Sequence, residues 1–321
     1  MTQTSNGDKA SKTILVTGAT GRQGSAVVDH LLKDGWSLRG MTRHPDGRGG
    51  RALAAKGVTP VQGNFDDVDS LRAATDGCYG VYSVQDFWEA GYKREVDQGK
   101  RVIDCAVEAG VQHFVYSSVG GAERTFGQGI HHFETKHLIE AHLRESGLRW
   151  TVFRPVTFFE NFITPRYITS MCEKGVFRFP FFPERPFQMV AVNDLGAFVA
   201  AAFREPERFE GLAMELASDQ LTMQDFSDAV GETIGRPVTF EELSMTFFGP
   251  ILRIVGWMGK TAKYRVGPSI IAQGKWHRTT APETGGWTAD FEQIESFDIP
   301  LTKAKEWAKT IDWDALRQAN G

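Results

Sequence analysis

The sequence predicts an α/β protein: a doubly wound parallel sheet with a smaller α-rich C-terminal domain. Three observations carry the expectation. A short β-branched run ends on a glycine loop and opens into an amphipathic segment. Strand-like apolar runs then alternate with helical ones to about residue 155. Beyond that point the alternation weakens and aromatic residues crowd in.

Thr13 to Thr17 is a β-branched apolar run and reads as a buried parallel strand. From about Gly24 to Lys33, Val27, Val28, Leu31 and Leu32 share one side, which predicts a helix stopped by Gly35. Ser37–Thr42, Val58–Gln62 and Tyr79–Val84 read as the next three strands. A long helix from about Tyr92 to Ala109 precedes a strand over His113–Ser117. A helix from about His131 to Glu145, ended by Gly147, precedes a strand over Trp150–Arg154 that Pro155 stops. Such alternation builds right-handed βαβ crossovers and a sheet covered on both faces. Phe177 to Pro186 reads as an irregular loop or short strand. Met189–Val192 with a helix to Phe203, a return strand over Ala213–Leu216 and a helix from about Thr222 to Ile234 complete the reading. The expected organisation is a disordered tail over 1–12, a Rossmann domain over 13–155 with return segments near 189–217, and a smaller domain over 156–321. That smaller domain, α-rich beyond Val238, would bind substrate or partner and close over a cofactor.

Composition excludes several classes. A hydrophobic content of 41% over 321 residues supports an ordinary core. The net charge of −4 is spread evenly, which argues against a nucleic-acid or anionic-membrane surface. The apolar stretch Phe247 to Met258 is too short to span a bilayer and contains Pro250 and Arg253. The polar first twelve residues lack a signal-peptide pattern. Cys78, Cys105 and Cys172 show no paired spacing and read as reduced, buried thiols. A cytoplasmic protein is expected.

Gly18, Gly21 and Gly24 are spaced GxxGxxG between strand and helix. The first permits a tight turn, the second lets backbone approach a pyrophosphate, and the third lets helix pack on strand. The helix start supplies N–H donors to the phosphates. Gly18, Thr20, Gly21, Arg22, Gln23 and Gly24 are therefore candidate dinucleotide contacts. NAD-binding folds place an acid after the second strand, whereas this chain reads Met41-Thr42-Arg43-His44-Pro45. Arg43, with Arg22 nearby, suits an adenosine 2′-phosphate, so the expected cofactor is NADP(H).

Five segments carry a family likeness: Val16-Thr-Gly-Ala-Thr-Gly-Arg-Gln-Gly24, Thr42-Arg43, Glu95-Val-Asp-Gln-Gly-Lys100, His132-Phe-Glu-Thr-Lys136 and Arg154-Pro-Val-Thr-Phe-Phe-Glu-Asn161. Through them the chain resembles the NmrA-like branch of the atypical short-chain dehydrogenase/reductases, from Ile14 to about Asn161, fading after about Ala202. Ordinary members of that superfamily use a Tyr and a Lys four residues apart on one helix, hence on one face. The Lys holds the nicotinamide ribose and lowers the Tyr pKa, and the Tyr moves the proton. None of the six tyrosines here has Lys at i+4; His132 stands four residues before Lys136 instead. The resemblance to the NADPH-sensor branch includes that His. Asp97 stands where the resemblance leads one to expect a Lys.

The fold suggests further cofactor contacts. Asn64 and Phe65, with Asp66 and Asp67, would lie beside the adenine. Gln85, Asp86 and Phe87 would lie at the carboxyl end of the sheet. Phe158 and Asn161 match a family segment that flanks the nicotinamide. Ser117 and Ser118 end a strand where the superfamily keeps a hydroxyl that orients a substrate carbonyl, or they serve as caps. His131, His132, His137 and His142 share a helix without an i,i+4 pair, so no metal is expected. Phe247, Phe248, Trp257 and Trp276 line a hydrophobic slot or fill the small domain's core. Two functions fit. One is a cofactor sensor that alters a surface for a regulatory protein partner. The other is a reductase of a small apolar carbonyl, quinone or imine-type substrate using Lys136 or His132.

Overall fold

The computed structural model describes residues 9–179, 185–243, 266–279 and 286–320. The stretch from Phe247 to Met258, with Phe247, Phe248 and Trp257, lies outside the described residues. In chain order the elements that position the site are β1 (Thr13–Val16), α1 (Arg22–Lys33), β2 (Ser37–Thr42), α2 (Arg48–Ala55), β3 (Thr59–Gln62), α3 (Val68–Thr75), β4 (Gly80–Ser83), the four-residue α4 (Phe87–Ala90), α5 (Tyr92–Glu108), β5 (His113–Ser117), α6 (His131–Glu145) and β6 (Trp150–Pro155). Then follow β7 (Thr157–Phe158), α7 (Pro165–Lys174), β8 (Val176–Phe179), β9 (Phe187–Val190), α8 (Val192–Arg204), α9 (Pro206–Phe209), β10 (Leu212–Leu216), β11 (Asp219–Leu221), α10 (Met223–Ile234) and β12 (Thr239–Glu242).

Seven strands form the large sheet in the order β10-β6-β5-β4-β1-β2-β3. The pairs from β3 to β6 are parallel, with Ile14 opposite both Leu38 and Gly80. The order reverses between β1 and β4, and that switch point opens a crevice at the strands' carboxyl ends where ligands bind in this architecture. Leu15, Val81, Phe114 and Val152 pack beneath Val102, Ile103 and Ala106 of α5 and Ile139 and Leu143 of α6. Residues Phe187–Val190 do not join this sheet; they pair with β7 and β11 in a three-stranded one, and β8 pairs with β12. Part of the loop-or-strand segment from Phe177 is thus strand, because Val176–Phe179 finds a parallel partner in Thr239–Glu242.

Among the described residues the chain divides into two compact units. The first takes residues up to Phe126, His131–Arg154 and Leu195–Met214; the second takes Gly127–Ile130, Pro155–Asp194 and residues from Glu215 onward. The second unit has an aromatic core of its own: Phe159 stacks on Trp307 at 5.1 Å, and Phe162 meets Phe177 edge-on at 5.1 Å. Trp276 is buried there against Trp287 at 5.1 Å, so this tryptophan is core. Among the described residues no helix is long and apolar enough to cross a membrane. All three cysteines are free and buried, and burial pushes each thiol's pKa up.

Candidate dinucleotide site

The glycine loop follows β1 directly. Gly18 turns the chain with φ +59°, and Gly21 N–H donates to the Gly18 carbonyl at 2.8 Å. A Cβ at Gly24 would stand 2.2 Å from the Gly18 carbonyl oxygen, so only glycine lets α1 start this close to the loop. Gly21 caps α1 without any side-chain hydrogen bond, and the first turn has no acid. A helix start of this kind leaves N–H donors and partial positive charge for an anion. A bound pyrophosphate fits this cradle. Thr20, Gly21 and Arg22 are exposed along it, while Gln23 turns inward. Its Oε1 accepts from Ser117 Oγ at 2.6 Å and from Tyr82 Oη at 3.2 Å. The Thr17 hydroxyl accepts from Val84 N–H at 2.9 Å, tying the ends of β1 and β4 together at the switch point.

Gly99 lets α5 approach α6 so closely that a Cβ there would stand 2.5 Å from Ile139. One turn earlier on both helices, Lys136 meets Glu95. Lys136 donates to the Glu95 carboxylate and, at 3.1 Å, to the Gln85 carbonyl. Both partners are buried, Glu95 completely. The Gln85 side chain donates to Ser83 Oγ at 2.8 Å. Glu95 Oε2, Gln85 Oε1 and the Tyr116 hydroxyl are buried without a hydrogen-bond partner, an arrangement that proteins tolerate mainly where a ligand or water completes it. Burial, with the charges of Glu95 and Glu140 adding to it, holds the Tyr116 phenol well above its usual pKa; burial likewise raises that of Tyr82. Both phenols therefore stay protonated.

His132 is half-buried, its ring 5.1 Å from Trp88, 5.8 Å from Phe87 and 4.7 Å from Phe133. The other histidines of α6 have separate neighbours: His131 meets Tyr92 and Glu134, His137 meets Phe126, and His142 meets Asp104. Ser117 and Ser118 both have partners within the protein. Ser117 bonds Gln23 and Ser118 bonds the buried Glu140, which also receives Arg154 at 2.6 Å and Arg144 at 2.9 Å. Both hydroxyls thus brace the protein's own groups.

At the sheet's far side, Arg43 leaves the end of β2 and pairs with Glu89 of α4. Asn64 Oδ1 accepts from Asp66 N–H at 3.1 Å, and Phe65 packs against the core. Arg94, Arg101 and Gln98 converge on Asp66, and Arg94 above all holds its carboxyl below the usual range. Asp67 and Asp86 cap α3 and α4, so these acids have structural work beside any ligand role. Asp97 faces Lys93 at 2.7 Å. Phe158 and Asn161 belong to the second unit, half-buried and exposed respectively. The residues that the sequence reading passed over are Glu95, Tyr116, Tyr82 and Glu89.

The model of the NmrA-like family matches residues 10–265. The NmrA-like family domain-containing oxidoreductase hkm9 of Aspergillus hancockii is 30% identical over 256 residues, covering 72% of this chain and 75% of that protein. Among solved structures, an Escherichia coli NADPH-dependent quinone oxidoreductase bound to NADPH superposes with a TM-score of 0.72 at 24% identity, over 92% of this chain and 99% of that one. NmrA, a negative transcriptional regulator in complex with NAD, superposes with a TM-score of 0.77 at 21% identity, over 97% and 98%. The two structures share the fold with this chain.

Proposed function

The chain belongs to the NmrA-like family, and from that premise we propose that it is an NADP(H)-binding protein that reports the cofactor's redox state to a regulatory protein partner. The state of Lys136 carries this reading. Its ammonium is buried, with two donors committed to Glu95 and the Gln85 carbonyl. One N–H remains, enough to hold a nicotinamide ribose. Four residues earlier stands His132, packed among aromatic rings, at the position where ordinary short-chain dehydrogenase/reductases would carry a phenol. The two phenols nearby, Tyr82 and Tyr116, are fully buried. The pyrophosphate would rest on the loop Gly18, Thr20, Gly21, Arg22 and the start of α1. Arg43 would take the 2′-phosphate, Asn64 and Phe65 the adenine side, and Gln85, Asp86 and Phe87 the nicotinamide side. NADPH brings a transferable hydride; on this reading its oxidation state shifts the ordering of the residues around Gln85 to Phe87 and so a partner's affinity.

One observation favours a second reading: the 30%-identical fungal relative is named an oxidoreductase. On that reading a hydride passes from NADPH to an apolar carbonyl, quinone or imine-type substrate, while Lys136 or His132 delivers the proton. Purified protein with NADPH and a panel of quinones and enones separates the two. The expected result is saturable binding of the cofactor without steady turnover. Sustained, substrate-dependent loss of reduced-cofactor absorbance would overturn the sensor.

A further inference from the structure

The short helix α4 stands between two parts of the cofactor apparatus. On one side, Glu89 pairs with Arg43, forty-six residues away in sequence. On the other, Phe87 and Trp88 pack on His132, four residues before Lys136. Asp86 fixes the helix start by accepting from Trp88 N–H at 2.8 Å and Glu89 N–H at 3.3 Å. The Arg43 and Glu89 side chains are 62% and 52% exposed, so burial does not lock the pair. An ion pair of this kind is weak and yields readily to a stronger anion. A phosphate dianion is such an anion, since it offers a guanidinium the same two-pronged acceptor as a carboxylate with more negative charge.

We propose that Glu89 is a specificity-determining residue that sets the contrast between phosphorylated and unphosphorylated dinucleotides. The proposal rests on the NADP(H) reading above. Glu89 occupies the Arg43 guanidinium until a 2′-phosphate takes it, and its own negative charge then remains beside that phosphate. Both effects lower the affinity for NADP(H) and leave NAD(H) nearly untouched. NAD(H) carries no group that competes for Arg43, so the pair survives its binding. Trp88 precedes Glu89 on the same four-residue helix and is half exposed. Release of Glu89 is therefore felt at the Trp88–His132 contact, and only the phosphorylated cofactor releases it.

The test titrates wild type, Glu89→Gln, Arg43→Gln and Trp88→Phe with NADP⁺ and NAD⁺ by calorimetry, alongside tryptophan emission. Gln keeps the length of Glu89 and its acceptor oxygen, so the fold is retained. The expected result is tighter NADP⁺ binding by Glu89→Gln, about threefold to tenfold at low salt and shrinking at high salt, with NAD⁺ affinity unchanged. Wild-type emission should change more with NADP⁺ than with NAD⁺, and Trp88→Phe should remove the difference. If Glu89→Gln leaves the NADP⁺/NAD⁺ ratio unchanged while Arg43→Gln collapses it, this inference fails and the NADP(H) reading stands. If wild type binds both equally and Arg43→Gln changes nothing, the NADP(H) reading itself fails.

Discussion

Removing Lys136 alone mixes two effects, because its loss strands the fully buried Glu95 carboxylate without a counter-charge. Breaking a buried pair from one side costs about 3–5 kcal/mol of stability. Lys136→Met should therefore lower the urea midpoint sharply. Lys136→Met combined with Glu95→Gln should recover most of that loss, since no unpaired charge remains. Cofactor affinity should stay weakened in the double variant by about 1–3 kcal/mol, the worth of a charge-assisted hydrogen bond. His132→Phe should leave binding within about twofold, because its ring is held by packing with Phe87, Trp88 and Phe133. Affinity restored to wild type in the double variant would remove Lys136 from the cofactor site. Glu95 had a legible signal in the sequence. It lies four residues before Gly99 and seven before Val102, on the apolar stripe of α5, where a carboxylate demands a buried partner. Glu89 had none, since nothing in the local pattern announces that Arg43 reaches it.

The glycine loop lets the two roles of glycine be separated by substitution. Gly24→Ala places a methyl 2.2 Å from a backbone oxygen that no rotamer change can move. It should destabilise the fold by about 1–3 kcal/mol or more, read from chemical denaturation. Gly21 has extended backbone at φ −90°, and a Cβ there would lie 3.2 Å from the Gly18 oxygen, a tight but tolerable approach. Gly21→Val should keep its circular dichroism and lose dinucleotide binding; wild-type affinity in that variant would move the pyrophosphate elsewhere. The long elements were readable for physical reasons. β5 spans the residues its apolar run implies, because a fully buried strand leaves a strong pattern, and α6 ends two residues before the Gly147 that marks its stop. α2 was not delimited, because it carries two glycines and buries only Gly50 and Leu53. The pairing of β8 with β12 joins segments some sixty residues apart, which no local periodicity encodes.

Acid should weaken the whole molecule through His113, the fully buried first residue of β5. Its Nε2 lies 2.8 Å from Thr151 Oγ1, whose hydroxyl donates to the Phe209 carbonyl at 2.8 Å. The Thr oxygen therefore accepts from Nε2–H, and Nδ1 is the bare nitrogen, buried without a partner. A proton there has nowhere to go, and burial depresses the pKa to about 3. Since this value lies below the unfolded one of 6.5, the unfolded chain takes up the proton first, and stability falls as pH drops through that interval. The loss should reach roughly 2–3 kcal/mol between pH 6.5 and about 4.5. His113→Gln should flatten that limb relative to wild type in denaturation curves at each pH; an unchanged slope would exclude His113 as its source. The paired hydroxyls on Gln23 have a consequence for the order of assembly. Ser117 lies 94 residues beyond Gln23 and Tyr82 lies 59 beyond it. A growing chain that has released only β1, α1 and β2 holds the glycine motif but not the braces that orient its glutamine. Contacts of such sequence separation form late, after the loop-closure entropy of the intervening chain has been met. Dinucleotide competence should therefore arrive with the docking of β5 rather than at the start of the sheet's folding.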